Sequence, residues 1–177
     1  MTPQDQPIER HTISVLVDNE PGVLARVIGL FSGRGYNIES LTVAEVDIER
    51  RRSRITLVTS GTRMIVEQIK AQLARLVPIH KVSDLTDQGP AVERELALVK
   101  VTTDSNRDNR IESLRIADIF RARVVDSTVN SFTFEVTGSS GKLDAFIGLM
   151  RPLGLSDIAR TGVAAMARGH KGLLQLD

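Results

Sequence analysis

The stretch "HTISVLVDNEPGVLARVIGLFSGR", His11 to Arg34, changes its period in the middle, and that change decides the fold. Ile13, Val15 and Val17 alternate, as on a strand with one buried face. Leu24, Val27, Ile28 and Phe31 then recur at i, i+3, i+4 and i+7, as on an amphipathic helix. The connection between them, "DNEPG", is short and polar. Asp18 or Asn19 can cap a helix, and Pro21 presets φ for a first turn. Gly22 is the odd residue: in a first helical turn it costs about 0.5–1 kcal/mol relative to Ala and leaves the backbone bare. The first N–H groups of a helix lack partners and sit at the positive end of its dipole. The loop therefore suits two roles. One is a plain helix start; the other is a seat for a small amino acid, its carboxylate on the amides and its alkyl group against Val23 and Leu24.

Working outward, "YNIESLTVAEV" and "RITLVTSG" form a hairpin pattern around the charged tip "DIERRRS". The helix "RMIVEQIKAQLARL" follows, with Ile65, Ile69, Leu73 and Leu76 on one face, and "IHKVSDLT" reads as a closing strand. The order is βαββαβ, the ferredoxin-like plan of an antiparallel sheet with both helices on one side.

"TDQGPAVER" is polar, aperiodic and contains Gly-Pro, as a linker does. Beyond it the order returns: strand "ELALVKVTT", helix "NRIESLRIADIFRAR" carrying Ile116, Ile119 and Phe120, hairpin "VVDSTVN" and "SFTFEVTG", and helix "KLDAFIGLMRPL" with Leu143, Phe146, Ile147 and Met150 on one face. "LSDIARTGVAAMAR" closes the sheet or reads as helix. The fold class is α+β, with two such units in tandem. A tail of residues 1–8, a first unit over 9–84, a linker over 85–94, a second unit over 95–170 and a tail over 171–177 make up the chain. Such a sheet leaves one face without helices, and pairing with a second copy is the usual cover, so the sequence predicts a homodimer.

The 177 residues carry 23 Lys+Arg and 22 Asp+Glu, a net charge of +1, which gives no electrostatic argument for nucleic acid or anionic lipid. With no Cys there is no disulfide framework, thiolate nucleophile or Cys-ligated metal. The N-terminal "MTPQDQPIER" has no signal-peptide core and no run approaches a membrane span, so the expected compartment is the cytoplasm. His11, His80 and His170 have no second His or carboxylate at ligand spacing and read as edge or surface residues, so no metal site is expected. No nucleophile–base pair is legible, and no catalytic residue is assigned.

Three motifs are decoys. "GRGYNI" offers G-x-G, but the helix precedes it and the strand follows, the reverse of a dinucleotide loop; Gly33 or Gly35 instead ends the helix in a left-handed conformation. "GSSGK" has the strand–loop–helix order of a phosphate cradle but too few residues between its glycines, and Leu143 follows the Lys. A tight turn with a helix cap is the plainer reading. "ERRRSR" is basic but lies at a hairpin tip beside Asp47 and Glu49, without aromatics for base stacking.

The stretches "SVLVDNEPGVLARVIGLFSGRGYNIESLTVAEVD", "QIKAQLARLVPIHKVSDL", "VERELALVKV", "TGSSGKLDAFIGLMRPLG" and "IARTGVAAMARG" together resemble the small, regulatory subunits of acetolactate synthase (acetohydroxyacid synthase). The likeness runs from about Ile8 to Gly169, and "RVIGLFSGRGYNIESLTV" is its most specific part. It implies that the first unit is an ACT domain and that the chain is a non-catalytic subunit. The partner would be a large subunit carrying thiamine diphosphate, Mg²⁺ and FAD. The small subunit would activate it and confer feedback inhibition by valine in branched-chain amino-acid synthesis. Carried over by position, the effector site takes Asn19, Gly22, Val23 and Leu24 from one chain and Asn37 and Ile38 from its partner in an ACT-to-ACT dimer. The counterpart loop "TTDSNRDN" lacks Pro-Gly and is expected to bind no effector. An amino-acid-sensing ACT protein that controls a different partner is the alternative.

Overall fold

The computed structural model describes residues 7–103, 107–170 and 172–174, and by contacts it falls into two units. In the first, β1 (Glu9–Asp18), α1 (Val23–Ser32), β2 (Ser40–Asp47), β3 (Arg52–Gly61), α2 (Arg63–Leu73) and β4 (Ile79–Asp84) follow the expected order. Its antiparallel sheet runs β2-β3-β1-β4, with β1 and β3 in unbroken register from Glu9↔Gly61 to Asp18↔Arg52. Ile13, Val15 and Val17 of β1 and Ile55 and Leu57 of β3 point to one face, where Val23, Val27, Leu30 and Phe31 of α1 and Val66, Ile69 and Leu73 of α2 complete the core.

The buried stripe of α1 differs from the expected one. Val23 and Leu30 take core places, while Leu24 and Ile28 are each 37% exposed. Apolar residues surround this helix almost completely, so periodicity does not fix its rotation. The Gly33–Gly35 region ends α1 as expected: Gly35 has φ +68°, and the Tyr36 amide donates to the Phe31 carbonyl at 3.0 Å.

The second unit has β5 (Ala91–Thr102), α3 (Arg107–Ile119), β6 (Arg123–Ser127), β7 (Ser131–Gly138), α4 (Ser140–Met150), a 3₁₀ turn (Arg151–Leu153) and β8 (Leu155–Arg160). Strand order β6-β7-β5-β8 repeats that of the first sheet. Both copies also slip at the same place, where the central strand meets the last one, at Leu16/Val17 and at Lys100/Val101. Leu143, Phe146, Ile147 and Met150 are all buried, as their spacing predicts. Ile119 is not; at the last position of α3 it is 68% exposed, and Ala117 fills the core instead. In "GSSGK", Ser139 Oγ caps α4 on the Lys142 amide, and Lys142 Nζ folds back to the Thr137 carbonyl at 2.9 Å.

Two boundaries need correction. Strand β5 begins at Ala91, inside the expected linker. The final pattern "LSDIARTGVAAMAR" is not one strand: Gly162, at φ +82°, separates β8 from β9 (Ala164–Ala167), and Val163–Asp177 groups with the first unit rather than the second. Its attachments explain why. The Val163 amide donates to Ser40 Oγ at 2.9 Å, Thr42 Oγ1 donates to the Val163 carbonyl at 3.0 Å, and Arg54 Nη2 donates to the Ala165 carbonyl at 2.5 Å. Val163 and Ala165 pack with Val58 and Leu85, which leaves the second face of β1 buried as well as the first. The face that was expected to need a second copy is partly covered by the chain's own C-terminal segment.

Candidate functional site

β1 delivers the chain to Asp18, where the loop to α1 is fixed on both flanks. The Asp18 amide donates to the Pro78 carbonyl at 3.2 Å, and the Asn19 amide to the Arg51 carbonyl at 2.6 Å. The Asp18 carboxylate lies 2.6 Å from His80 Nε2. Neither Asp18 nor Asn19 caps the helix: no side chain hydrogen-bonds the α1 N-terminus. Gly22 is the N-cap itself and not a first-turn residue, with φ +86° and ψ −8°, a conformation that disfavours any side chain. A Cβ built there meets nothing within 4 Å. The Gly22 carbonyl starts the helix by accepting from the Arg26 amide at 3.0 Å.

The loop thus offers a helix N-terminus without a side-chain cap, a glycine with open space beside it, and exposed Leu24. Asn19 is exposed too. Val23 faces the core, so its contribution to a ligand is its backbone and not an apolar wall. One turn beyond Leu24, Ile28 extends the exposed apolar strip; sequence reasoning had placed it in the core.

Asn37 and Ile38 stand beyond the other end of α1. Asn37 is exposed and its carbonyl accepts from Thr59 Oγ1 at 2.7 Å, while Ile38 is half-buried against the first core. Ten helical residues span about 15 Å, farther than one amino acid bridges. Within one chain the two sets of expected site residues therefore stand at opposite ends of α1. The counterpart loop in the second unit runs through residues 104–106, outside the described residues.

A second cluster was invisible in the sequence. His11, read as an edge residue, is 2% exposed, and its Nδ1 lies 2.9 Å from Asp84 Oδ2, 73 residues away. Asp87 completes a His–Asp–Asp group whose donor atoms lie within 4.8 Å of one another. An open hollow of about 300 Å³ adjoins it, lined by Lys70, Ala74, Val82, Asp84, Asp87 and Gln88. Lys70 Nζ already brings a cation, 3.0 Å from Asp87 and 3.5 Å from Asp84. Burial works against that charge, but hydrogen bonds to Glu67 and Asp87 and the neighbouring carboxylates outweigh it and hold the ammonium above its ordinary pKa. The arrangement reads as a self-neutralised network that ties α2 to the ends of β1 and β4.

With that geometry in place, comparison with known proteins is specific. Residues 13–81 match a family model described as the AHAS small subunit-like ACT domain, and residues 94–169 one described as the small subunit of acetolactate synthase. A probable acetolactate synthase small subunit of Archaeoglobus fulgidus is 49% identical over 162 residues, 92% of this chain and 99% of its own length. The acetolactate synthase isozyme 3 small subunit of Escherichia coli is 47% identical over 163 residues, 92% and 98% of the two chains. The crystal structure of the acetolactate synthase small subunit from Thermotoga maritima superposes with a TM-score of 0.80 at 37% identity, covering 92% of this chain and 99% of that one. Among the described residues, no helix is long and apolar enough to cross a membrane.

Proposed function

We infer a regulatory role from one premise: this chain belongs to the family of acetolactate synthase small subunits. It binds a larger catalytic subunit in the cytoplasm and raises that subunit's activity. It also carries the feedback signal of branched-chain amino-acid synthesis, with valine as effector. Thiamine diphosphate, Mg²⁺ and FAD belong to the catalytic partner and do the chemistry there; this chain contributes no reacting group.

The observation that carries the reading is the start of α1, a helix end without a side-chain cap behind a left-handed glycine and next to exposed Leu24 and Ile28. A carboxylate gains there from the oriented amides and the helix dipole. The alkyl group of valine gains from the apolar strip, and Asn19 offers a polar contact for the zwitterion. Because Asn37 and Ile38 follow the far end of α1, a helix about 15 Å long, the full site forms from one chain's Asn19–Leu24 and a second chain's Asn37–Ile38. Homodimerisation through the first units is part of the proposal. A pocket of this kind separates aliphatic side chains by only about 1–3 kcal/mol per methylene, so leucine and isoleucine act more weakly than valine.

The test is calorimetry of the pure chain with L-valine, followed by titration of valine into a mixture with a large thiamine-dependent subunit. Saturable heat and valine-dependent loss of activation support the reading. Absence of both removes it, and acetolactate formation by the isolated chain removes its non-catalytic part.

A further inference from the structure

β2 is an edge strand with one neighbour, β3, and it begins two residues after Ile38. Its other attachment is unusual. Ser40 and Thr42, which alternate toward the face away from the helices, hold both polar groups of the Val163 peptide unit: Ser40 Oγ accepts from the amide, and Thr42 Oγ1 donates to the carbonyl. Arg54, on β3 opposite Ala44 of β2, donates to Ser14 Oγ at 2.8 Å and to the Ala165 carbonyl at 2.5 Å with the same nitrogen. Val163 and Ala165 are buried under this lattice, and Met166 between them and Ala167 is exposed. One short segment is thus pinned by side chains to the strand that follows Asn37 and Ile38. It is also continuous in the chain with β8, through Thr161 and Gly162.

We propose that Val163–Ala167 is a strap that senses the Asn37–Ile38 half-site through β2, with Ser40 and Thr42 as the coupling residues and Arg54 as the clamp that positions the strap. The inference rests on the effector reading of Asn37 and Ile38. A ligand seated on Asn37 and Ile38 fixes the start of β2, and the same position of β2 presents Ser40 and Thr42 to Val163. Ligand and strap then favour one strand position together. Linkage makes the effect reciprocal: the factor by which valine tightens the strap equals the factor by which the strap tightens valine. The covalent path onward to β8 gives the second unit a signal that does not require the ligand to touch it.

The experiment measures amide hydrogen–deuterium exchange of residues 163–167 in the full-length chain, with and without L-valine, alongside valine calorimetry. The variants are Thr42→Val, which removes the hydroxyl at constant shape, and Thr42→Ser, which restores it. In the parent chain valine slows strap exchange about fivefold or more. Thr42→Val speeds exchange without valine and shrinks the factor by which valine slows it, while the thermal midpoint of the first unit stays near the parent value. Thr42→Ser returns both the exchange rate and the valine effect on it toward the parent chain. If valine binds the parent chain and strap exchange does not change, the coupling is overturned while the effector reading stands. A valine effect on strap exchange as large in Thr42→Val as in the parent chain overturns it in the same way. If the parent chain takes up no valine, the effector reading falls and the coupling falls with it.

Discussion

His80 holds Asp18 by a 2.6 Å contact between Nε2 and Oδ1, four residues ahead of the uncapped α1 N-terminus at Gly22. Asp18 is the last residue of β1, and Asp is among the best N-cap residues. Left free, it would compete for the amides assigned to the proposed effector. His80→Ala is therefore expected to leave the fold intact and weaken valine binding several-fold, because Asp18 then reaches the α1 N-terminus from inside the chain. Calorimetry with L-valine reads this directly, and undiminished affinity would show that Asp18 is kept away by the backbone alone.

Gly22 separates strain from charge. Its φ of +86° costs a substituted L-residue about 1–2 kcal/mol, less for Asp, which tolerates the left-handed region better than Ala does. The space around the position is open, so no clash adds to this. Gly22→Ala should lower stability more than Gly22→Asp and yet retain the greater share of valine binding. Gly22→Asp should abolish valine sensitivity and keep activation of the catalytic subunit, since it sets a carboxylate where the ligand's own would sit. Paired melting curves and inhibition titrations test both halves; a Gly22→Asp variant that remains valine-sensitive would move the site elsewhere.

Much of this was legible locally. The period change at Asp18–Gly22, the hairpin of β2 and β3, the Leu143–Met150 stripe and the repeat of βαββαβ all follow from residues close in sequence, whose geometry depends on neighbours three or four positions away. Two kinds of fact were not legible. One is rotation about an axis: α1 is apolar nearly all round, so only tertiary packing decides that Leu24 and Ile28 face outward while Val23 and Leu30 face in. The other is long-range pairing. His11 meets Asp84 across 73 positions and Val163 meets Ser40 across 123, and nothing near either residue announces its partner. The candidate site drew on both kinds: its loop and the apolar contact of Leu24 were plain in "DNEPGVL", but the burial of Val23 and the exposure of Ile28 were not.

In the second unit the buried polar anchor is Glu95, which accepts from Arg160 Nε at 2.8 Å and Nη2 at 2.7 Å. The Arg160 hydrogen bonds outweigh burial and hold the Glu95 carboxyl below its ordinary value. A depressed carboxylate adds stability that is present above the unfolded-state pKa, about 4.3, and is lost as pH falls through the lower folded value. Arg160 is one-third exposed, so solvent screening reduces the gain from that of a fully buried pair. Glu95→Gln should cost the second unit about 1–3 kcal/mol at pH 7. The gap to the parent chain should shrink as pH drops below about 4.3. Denaturant unfolding at pH 7, 5 and 3.5 checks the sign, and a gap that ignores pH would exclude the ion pair as its source.

Gly154 and Gly148 give opposite expectations for the same substitution in one unit. Gly154 follows the 3₁₀ turn at φ +103°, its carbonyl accepts from the Thr102 amide at 2.8 Å, and a Cβ there would lie 2.1 Å from the Thr102 carbonyl oxygen. That oxygen is backbone of β5, the strand paired with both β7 and β8, so it has little room to yield. Gly154→Ala combines a disfavoured φ with this clash and should cost more than about 3 kcal/mol. Gly148 lies inside α4, exposed, with nothing within 4 Å of a built Cβ. Gly148→Ala removes unfolded-state freedom at no steric cost and should add about 0.5–1 kcal/mol. Unfolding curves of the two single variants, and of the double variant, decide the matter. The two positions sit on different elements, so their effects should add, and a Gly154→Ala chain as stable as the parent would mean that β8 leaves β5 by a different path from the one described.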